Sequence, residues 1–330
     1  MVSASGALAI GVSRSPSLGE RFRALLLRSE PLRGYLLLSP TLLVMLILLI
    51  APMGGLVGIS FCTQIYFKLD CTPTLLNYWT IVAPTGEWTY AFGFIPLPVL
   101  QTPIYVILLF RSILMSLVAT VIIILMAYPA AYFLAFRVTR HKLLWITLIT
   151  IPFWTSYLLR VFAWKVILGF NGVVNSGLLS LGLINEPLEF ILYNPTSVII
   201  TLTHAWLAFA LLPMYVSLEK IDRSLLEAAT DLGDGRVARF FRITLPLSMP
   251  GVIASSVLVF VPTVGDYITP SLVGGTSGIM IGSVIQSLFG KANNWPLGAA
   301  VSIVMMAVVG LLVWIFLSLV GYRRMRQREA

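Results

Sequence analysis

Asp266 is the one carboxylate that the sequence sets well inside an apolar run, in PTVGDYITPSLVGG, where Pro262, Gly265 and Pro270 interrupt helix formation around it. An acid near hydrocarbon costs about 2.5–3.5 kcal/mol on insertion scales. Two readings of it stand: a lining residue of a path for charged solute, or a helix cap near the outer interface. Arg160, in IPFWTSYLLRVFAWKVIL, poses the same question. It either pairs with Asp266 or a backbone carbonyl, or lines the path itself. Trp154 and Trp164 read first as interfacial or packing residues. The chemistry these residues offer is selective passage rather than bond making. An aspartyl protease needs a second carboxylate beside Asp266, and the other acids fall in loops or at helix ends. His141 and His204 are the only histidines and no H-E-x-x-H occurs, so no metal site is expected. No G-x-x-x-x-G-K-[ST] occurs either, so no nucleotide cofactor is expected. The letters GDGRVA at 233–238 match a dinucleotide fingerprint only by chance, since no strand precedes them.

A second group of residues suits docking. The stretch 222–251, DRSLLEAATDLGDGRVARFFRITLPLSMPG, is polar and lies between long apolar runs. Leu225, Ala228, Ala229 and Leu232 recur at helical spacing on one face, which predicts a short amphipathic helix able to enter a partner's groove. Ser224 with Glu227 forms a capping-box pattern at its start, and Gly233 and Gly235 supply the residues that end it. Arg236, Arg239 and Arg242 follow as cytoplasmic anchors, and Pro246 after Leu245 suits the first turn of the next apolar helix.

The elements that must position these residues follow from composition. With 58% hydrophobic and 11% charged residues and a mean hydropathy of +0.94, the 330-residue chain is a polytopic membrane protein rather than a soluble domain. Apolar runs near 35–61, 103–136, 143–167, 196–217, 246–272 and 297–322 are long enough to cross about 30 Å of hydrocarbon, giving six membrane helices in an all-α fold. The expected organisation is a basic arm over 1–34, a membrane domain over 35–322 with a cytoplasmic loop at 218–245, and a basic tail over 323–330.

Of the 22 Lys and Arg residues, only Lys68, Arg111, Arg160, Lys165 and Lys291 fall outside four segments that one topology places on the inner side. That bias predicts both termini in the cytoplasm. The net charge of +9 is therefore topological and does not indicate a nucleic-acid partner. The arm carries Phe22, Leu25 and Leu26 among arginines, a pattern for a short interfacial helix against membrane lipid. Cys62 and Cys71 both fall just beyond the first span on the outer side, where a disulfide and a reduced Cys62 packed at the helix end are both open. The long outer segment 61–102, with Tyr78, Trp79, Trp88, Tyr90, Phe92 and Phe94, is either a docking surface or an interfacial cap.

Glu227-Ala228-Ala229 followed by Gly233 and then ITLP resembles the EAA loop of ATP-binding-cassette (ABC) importer permeases. IPFWTSYLLRVFAW, VGDYITPSLVGG and NNWPLGAA at 293–300 extend the resemblance to spermidine/putrescine permeases over roughly 35–322. The resemblance implies a type I importer fold without enzymatic activity of its own. It also implies three partners: a cytoplasmic ATPase dimer, a second homologous permease and an extracytoplasmic binding protein delivering a small cation. By position it implies that Leu225, Glu227, Ala228, Ala229, Leu232, Gly233, Leu245 and Pro246 serve coupling. Asp266, Tyr267, Arg160, Trp154 and Trp295 would serve the pathway or gate. Permeases for opines, amino acids or phosphonates share most of these motifs, and a self-sufficient secondary transporter or channel is the alternative of another class.

Overall fold

The computed structural model describes residues 30–66, 68–91, 95–100 and 103–329, and for 30–33, 36, 85–91, 95–100, 190 and 321–329 the backbone alone. The expected basic arm up to residue 29 with its interfacial helix, and the side chains of Trp88, Tyr90, Phe92 and Phe94, lie outside the described residues. Six helices are long and apolar enough to cross a membrane. The chain divides into two units, 1–56 and 57–330. In the first, the described residues belong to helix α1 (Glu30–Ser60), whose apolar span begins at Leu37 and which carries Pro40 and Pro52.

The second unit opens on a small antiparallel hairpin, β1 (Thr63–Ile65) and β2 (Lys68–Asp70), followed by the short helix α2 (Leu76–Val82). A longer hairpin comes next, β3 (Pro84–Ala91) with β4 (Ile95–Leu100). The chain is mostly helical as expected, and between α1 and α3 these strands satisfy their backbone by local pairing. Cys62 and Cys71 form a disulfide across the base of the first hairpin, which decides between the two states left open for them. Asn77 ties that base down by donating to the carbonyls of Ser60 and Cys62.

Three helices make the centre: α3 (Ile104–Phe136), α7 (Pro195–Glu219) and α10 (Leu245–Val264). Ile123, Ala127, Ala131 and Leu134 of α3 meet Ala210, Leu211, Met214 and Leu218 of α7 and Val259 of α10 in one buried cluster. Helix α7 starts on a capping box in which Asn194 and Ser197 exchange side-chain and backbone bonds. Between α3 and α7 the expected span 143–167 does not form one helix. Helix α4 (Lys142–Thr150) runs into a 3-10 turn at Ile151–Trp154, and a new helix α5 (Tyr157–Leu168) begins after Ser156, followed by α6 (Val173–Ser180). Pro152 in the 3-10 turn and extended backbone at Thr155 and Ser156 make the break. The fifth span likewise departs from 246–272. It starts at Arg236 as α9 (Arg236–Arg239), passes through a π-turn at Phe240–Thr244 and continues as α10 to Val264. Beyond Gly265 a second π-turn (Pro270–Gly274), helix α11 (Ile281–Phe289) and the long α12 (Trp295–Glu329) complete the chain.

The tightest approach in the centre is at Gly251. A Cβ there would lie 2.5 Å from Ser217 Cβ and 2.6 Å from the Pro213 carbonyl oxygen. Pro250 has no N–H to give back along its own helix, and the Gly251 N–H reaches across to Ser217 Oγ at 3.2 Å. Ser255 Oγ adds a 2.6 Å bond to the Ala210 carbonyl one turn further. Gly251→Ala should therefore force α7 and α10 apart and lower stability by about 1–3 kcal/mol, read as an earlier melting transition of the detergent-solubilised protein. Gly310→Ala, where an added Cβ meets nothing within 4 Å, should melt like the parent chain. Cys62 and Cys71 should resist a thiol-reactive polyethylene glycol until a reductant is added; labelling without reductant would show them unpaired.

Candidate functional site

The docking residues and the pathway residues occupy separate places. Helix α8 (Arg223–Asp231) is the amphipathic helix expected from the sequence, but its start differs. Asp222, not Ser224, is its N-cap, accepting from the Ser224 backbone N–H at 3.0 Å. That bond holds the Asp222 carboxyl below its usual value. The cap is thus ionised at neutral pH, and its contribution disappears only as pH falls through the depressed value. At the other end Gly233 has φ +90°, its N–H donates to the Thr230 carbonyl, and the Asp234 N–H donates to that of Ala229. This is a Schellman termination, built on Gly233 alone. Gly235 takes no part in it and instead precedes α9 with φ −66°.

The predicted apolar face of α8 divides in two. Ala229 is buried against the chain. Leu225, Ala228 and Leu232 are exposed, with Leu232 88% accessible and Glu227 exposed beside them. An exposed i, i+3, i+7 stripe on a helix held at both ends has the spacing of helices that enter a groove. The arginines that follow also do more than anchor: Arg239 donates to Thr230 Oγ1 at 2.5 Å, and Arg242 pairs with Asp234 at 2.8 Å. The second pair is largely exposed and contributes orientation more than stability. Leu245 and Pro246 stand at the start of α10, beyond the π-turn. Behind α8, a crevice of about 560 Å³ runs along Ser217, Asp222, Leu225, Leu247 and Gly251.

Asp266 is a cap rather than an open lining residue. It is only 8% accessible. Its Oδ1 accepts from the backbone N–H of Ile268 at 2.9 Å and of Thr269 at 3.4 Å. Its Oδ2 accepts from Tyr157 Oη and Thr269 Oγ1, each at 2.5 Å. Four donors leave the carboxylate no free direction for a solute. The expected pairing with Arg160 does not form. Arg160 donates to the Ala205 carbonyl at 3.1 Å, and its guanidinium carbon sits 4.7 Å from the Phe153 ring and 5.7 Å from the Tyr157 ring. Tyr157 therefore stands between the two charges. Sequence reasoning missed Tyr157 and Thr269, although Thr269 lies three residues after Asp266, the spacing of a cap and its third helical residue.

The open ground lies next to Asp266. Tyr267, 45% accessible, faces a cavity of about 480 Å³ together with Gln286, Phe289, Ser302 and Met305. Trp295 stacks edge-on against Phe289 at 6.2 Å, its Nε1 fixed to Asn293 Oδ1 at 3.1 Å. The cavity thus offers rings and neutral oxygens, and no charged residue among the described ones lines it. Trp154 does not join this group; it is 79% accessible at the break before α5. Gln286 was not foreseen, and nothing in the apolar run around it distinguishes it.

Residues 35–327 match the family described as binding-protein-dependent transport system inner membrane component. Among curated proteins, the spermidine/putrescine transport system permease protein PotB of Haemophilus influenzae is 38% identical over 265 residues, covering 79% of this chain and 91% of its own. PotB of Escherichia coli is 40% identical over 217 residues, covering 66% and 78%. Among solved structures, a chain of the bacterial alginate ABC transporter in complex with alginate pentasaccharide-bound periplasmic protein superposes with a TM-score of 0.65 at 19% identity, covering 90% of this chain and 96% of that one. The last likeness concerns the fold alone.

Asp266→Ala should strip four hydrogen bonds from the segment after α10 and lower the melting temperature clearly, at about 1–3 kcal/mol for the orphaned donors. Asp266→Asn should restore most of that loss, because the Tyr157 and Thr269 hydroxyls can turn to accept from the amide. An Asn variant as unstable as Ala would mean that the charge itself holds the segment.

Proposed function

The chain belongs to the family of binding-protein-dependent transport system inner membrane components, and from that premise we propose that it is the permease subunit of an ABC importer carrying putrescine and spermidine inward. The observation that carries the reading is α8: a capped, Schellman-terminated helix that leaves Leu225, Ala228 and Leu232 exposed. A cytoplasmic ATPase dimer would receive that helix, a second homologous permease would complete the path, and an extracytoplasmic binding protein would deliver the solute. Both termini would lie in the cytoplasm, with the disulfide hairpin on the oxidising side. The chain itself would catalyse nothing; ATP hydrolysis belongs to the separate subunit.

For the solute, the relatives named for spermidine and putrescine support a polyamine, and the cavity beside Tyr267 suits one physically. Ammonium groups are drawn to ring faces and neutral oxygens without being trapped by a buried carboxylate. Passage needs such moderate attraction, since a site that binds too well does not release. Closure of the ATPase dimer would press on α8, and α7 and α10, joined at Ser217 and Gly251, would tilt together to open the cavity outward.

Uptake of radiolabelled putrescine and spermidine by cells expressing the chain with its ATPase, second permease and binding protein tests the whole reading. Uptake should vanish when the ATPase is inactivated. Glu227→Ala and Gly233→Asp should reduce it at least tenfold while membrane insertion persists, the latter because an L-residue at φ +90° costs about 1–2 kcal/mol and unwinds the termination. Normal uptake by both variants would remove α8 from coupling. Uptake of a different solute would leave the permease reading and replace the polyamine.

A further inference from the structure

Arg160 carries a charge that no acid among the described residues balances. Ala205, whose carbonyl accepts from it, lies ten residues into α7, about 15 Å along the helix at 1.5 Å per residue. That is close to the middle of a layer of about 30 Å. Among the described residues the ion pairs are Lys142 with Glu219 and Arg242 with Asp234, both far from this depth in sequence. Asp266, the acid within reach of Tyr157, is consumed by its four donors. One carbonyl bond and two ring faces leave most of the guanidinium unmatched, and its Nε is buried with no acceptor. The half-buried Arg160 does not sit alone. Trp164, one turn on, lies edge-on to His204 at 5.3 Å, and His204 is exposed in the middle of α7. Cation, imidazole and indole therefore share one lateral face of α5 and α7, at the depth where hydrocarbon tolerates them least.

Three occupants of that face can be compared. Lipid tails would leave the guanidinium unpaired at a cost of about 2.5–3.5 kcal/mol even on the lenient scale. A polyamine would be repelled by it. A protein helix presenting a carboxylate would match its charge and its two-pronged donor geometry. Resting on the importer reading above, we infer that this face of α5 and α7 is where the second permease subunit packs, and that the partner supplies an Asp or Glu to Arg160 within the membrane. The pair then acts as a register mark: it fixes how the two subunits are rotated and shifted against each other, in the way that isolated polar groups fix the register of packed helices. It also keeps the Arg160 charge neutralised beside a path meant for cations.

The test uses the complete transporter with His204 replaced by the photocrosslinker p-benzoylphenylalanine and Arg160 intact. Irradiation should join this chain to the second permease. Crosslinks confined to lipid or to the binding protein would overturn the inference. In parallel, Arg160→Glu should reduce the amount of second permease that co-purifies at least about tenfold, since like charges would then face each other at low dielectric. Arg160→Lys should stay within about threefold of the parent chain. Undiminished co-purification with Arg160→Glu would also overturn the inference. If no second permease co-purifies with the unaltered chain, the importer reading falls and takes this inference with it. Co-purification without a crosslink at position 204 removes the inference alone.

Discussion

Helices immersed in hydrocarbon gain little by hiding apolar side chains from lipid tails that are just as apolar, so the centre of this protein is held by close backbone approach and hydroxyl bonds. The contact of α7 with α10 has that character throughout. Gly251 lets the Pro213 turn come near, Ser217 takes the amide that Pro250 leaves beside it, and Ser255 reaches the Ala210 carbonyl. Across α3 the same principle recurs, with Tyr128 bonded to Ser248 at 2.7 Å and a row of alanines at 119, 127 and 131 wholly buried. The Ser217 and Ser255 hydroxyls each satisfy a backbone group of the facing helix. Remove the small residues and the hydroxyls lose their reach.

The same economy of polar groups explains the segment after α10. A helix broken at membrane depth exposes amides and carbonyls that must be matched internally. Asp266 takes two of the amides, Ser197 Oγ reaches the Val273 carbonyl at 2.6 Å, and Ser112 Oγ accepts the Ile281 amide at 2.7 Å. The carboxylate that draws the eye in the sequence is thus part of the scaffold, and the groups that face the neighbouring cavity are Tyr267 and Gln286.

Features legible in the sequence were those set by local, short-range requirements. Gly233 could be read because a helix end that turns left-handed wants a glycine, and the exposed stripe of α8 could be read because its period is fixed by the backbone. The six apolar helices followed from length alone. What escaped was decided between distant parts of the chain or between equivalent local options. Asp222 and Ser224 are both good cap residues, and their types and spacing alone do not choose between them. The break at 151–156 hides in an apolar run because hydropathy does not register backbone conformation. The role of Asp266 depended on Tyr157, 109 residues away, whose hydroxyl arrives only once α5 packs beside it. The disulfide needed the hairpin that brings its two cysteines together.

The bond between Ser217 and Gly251 spans the two ends of the segment that contains α8. A loop whose ends are fastened to each other has little mechanical compliance: displacement applied anywhere along 223–231 cannot be absorbed by one flanking helix bending while the other stays still. It reaches both as a torque about their shared contact. The contact itself is held by one glycine without a side chain and the hydroxyls of Ser217 and Ser255, a smaller bearing than the length of the two helices would suggest.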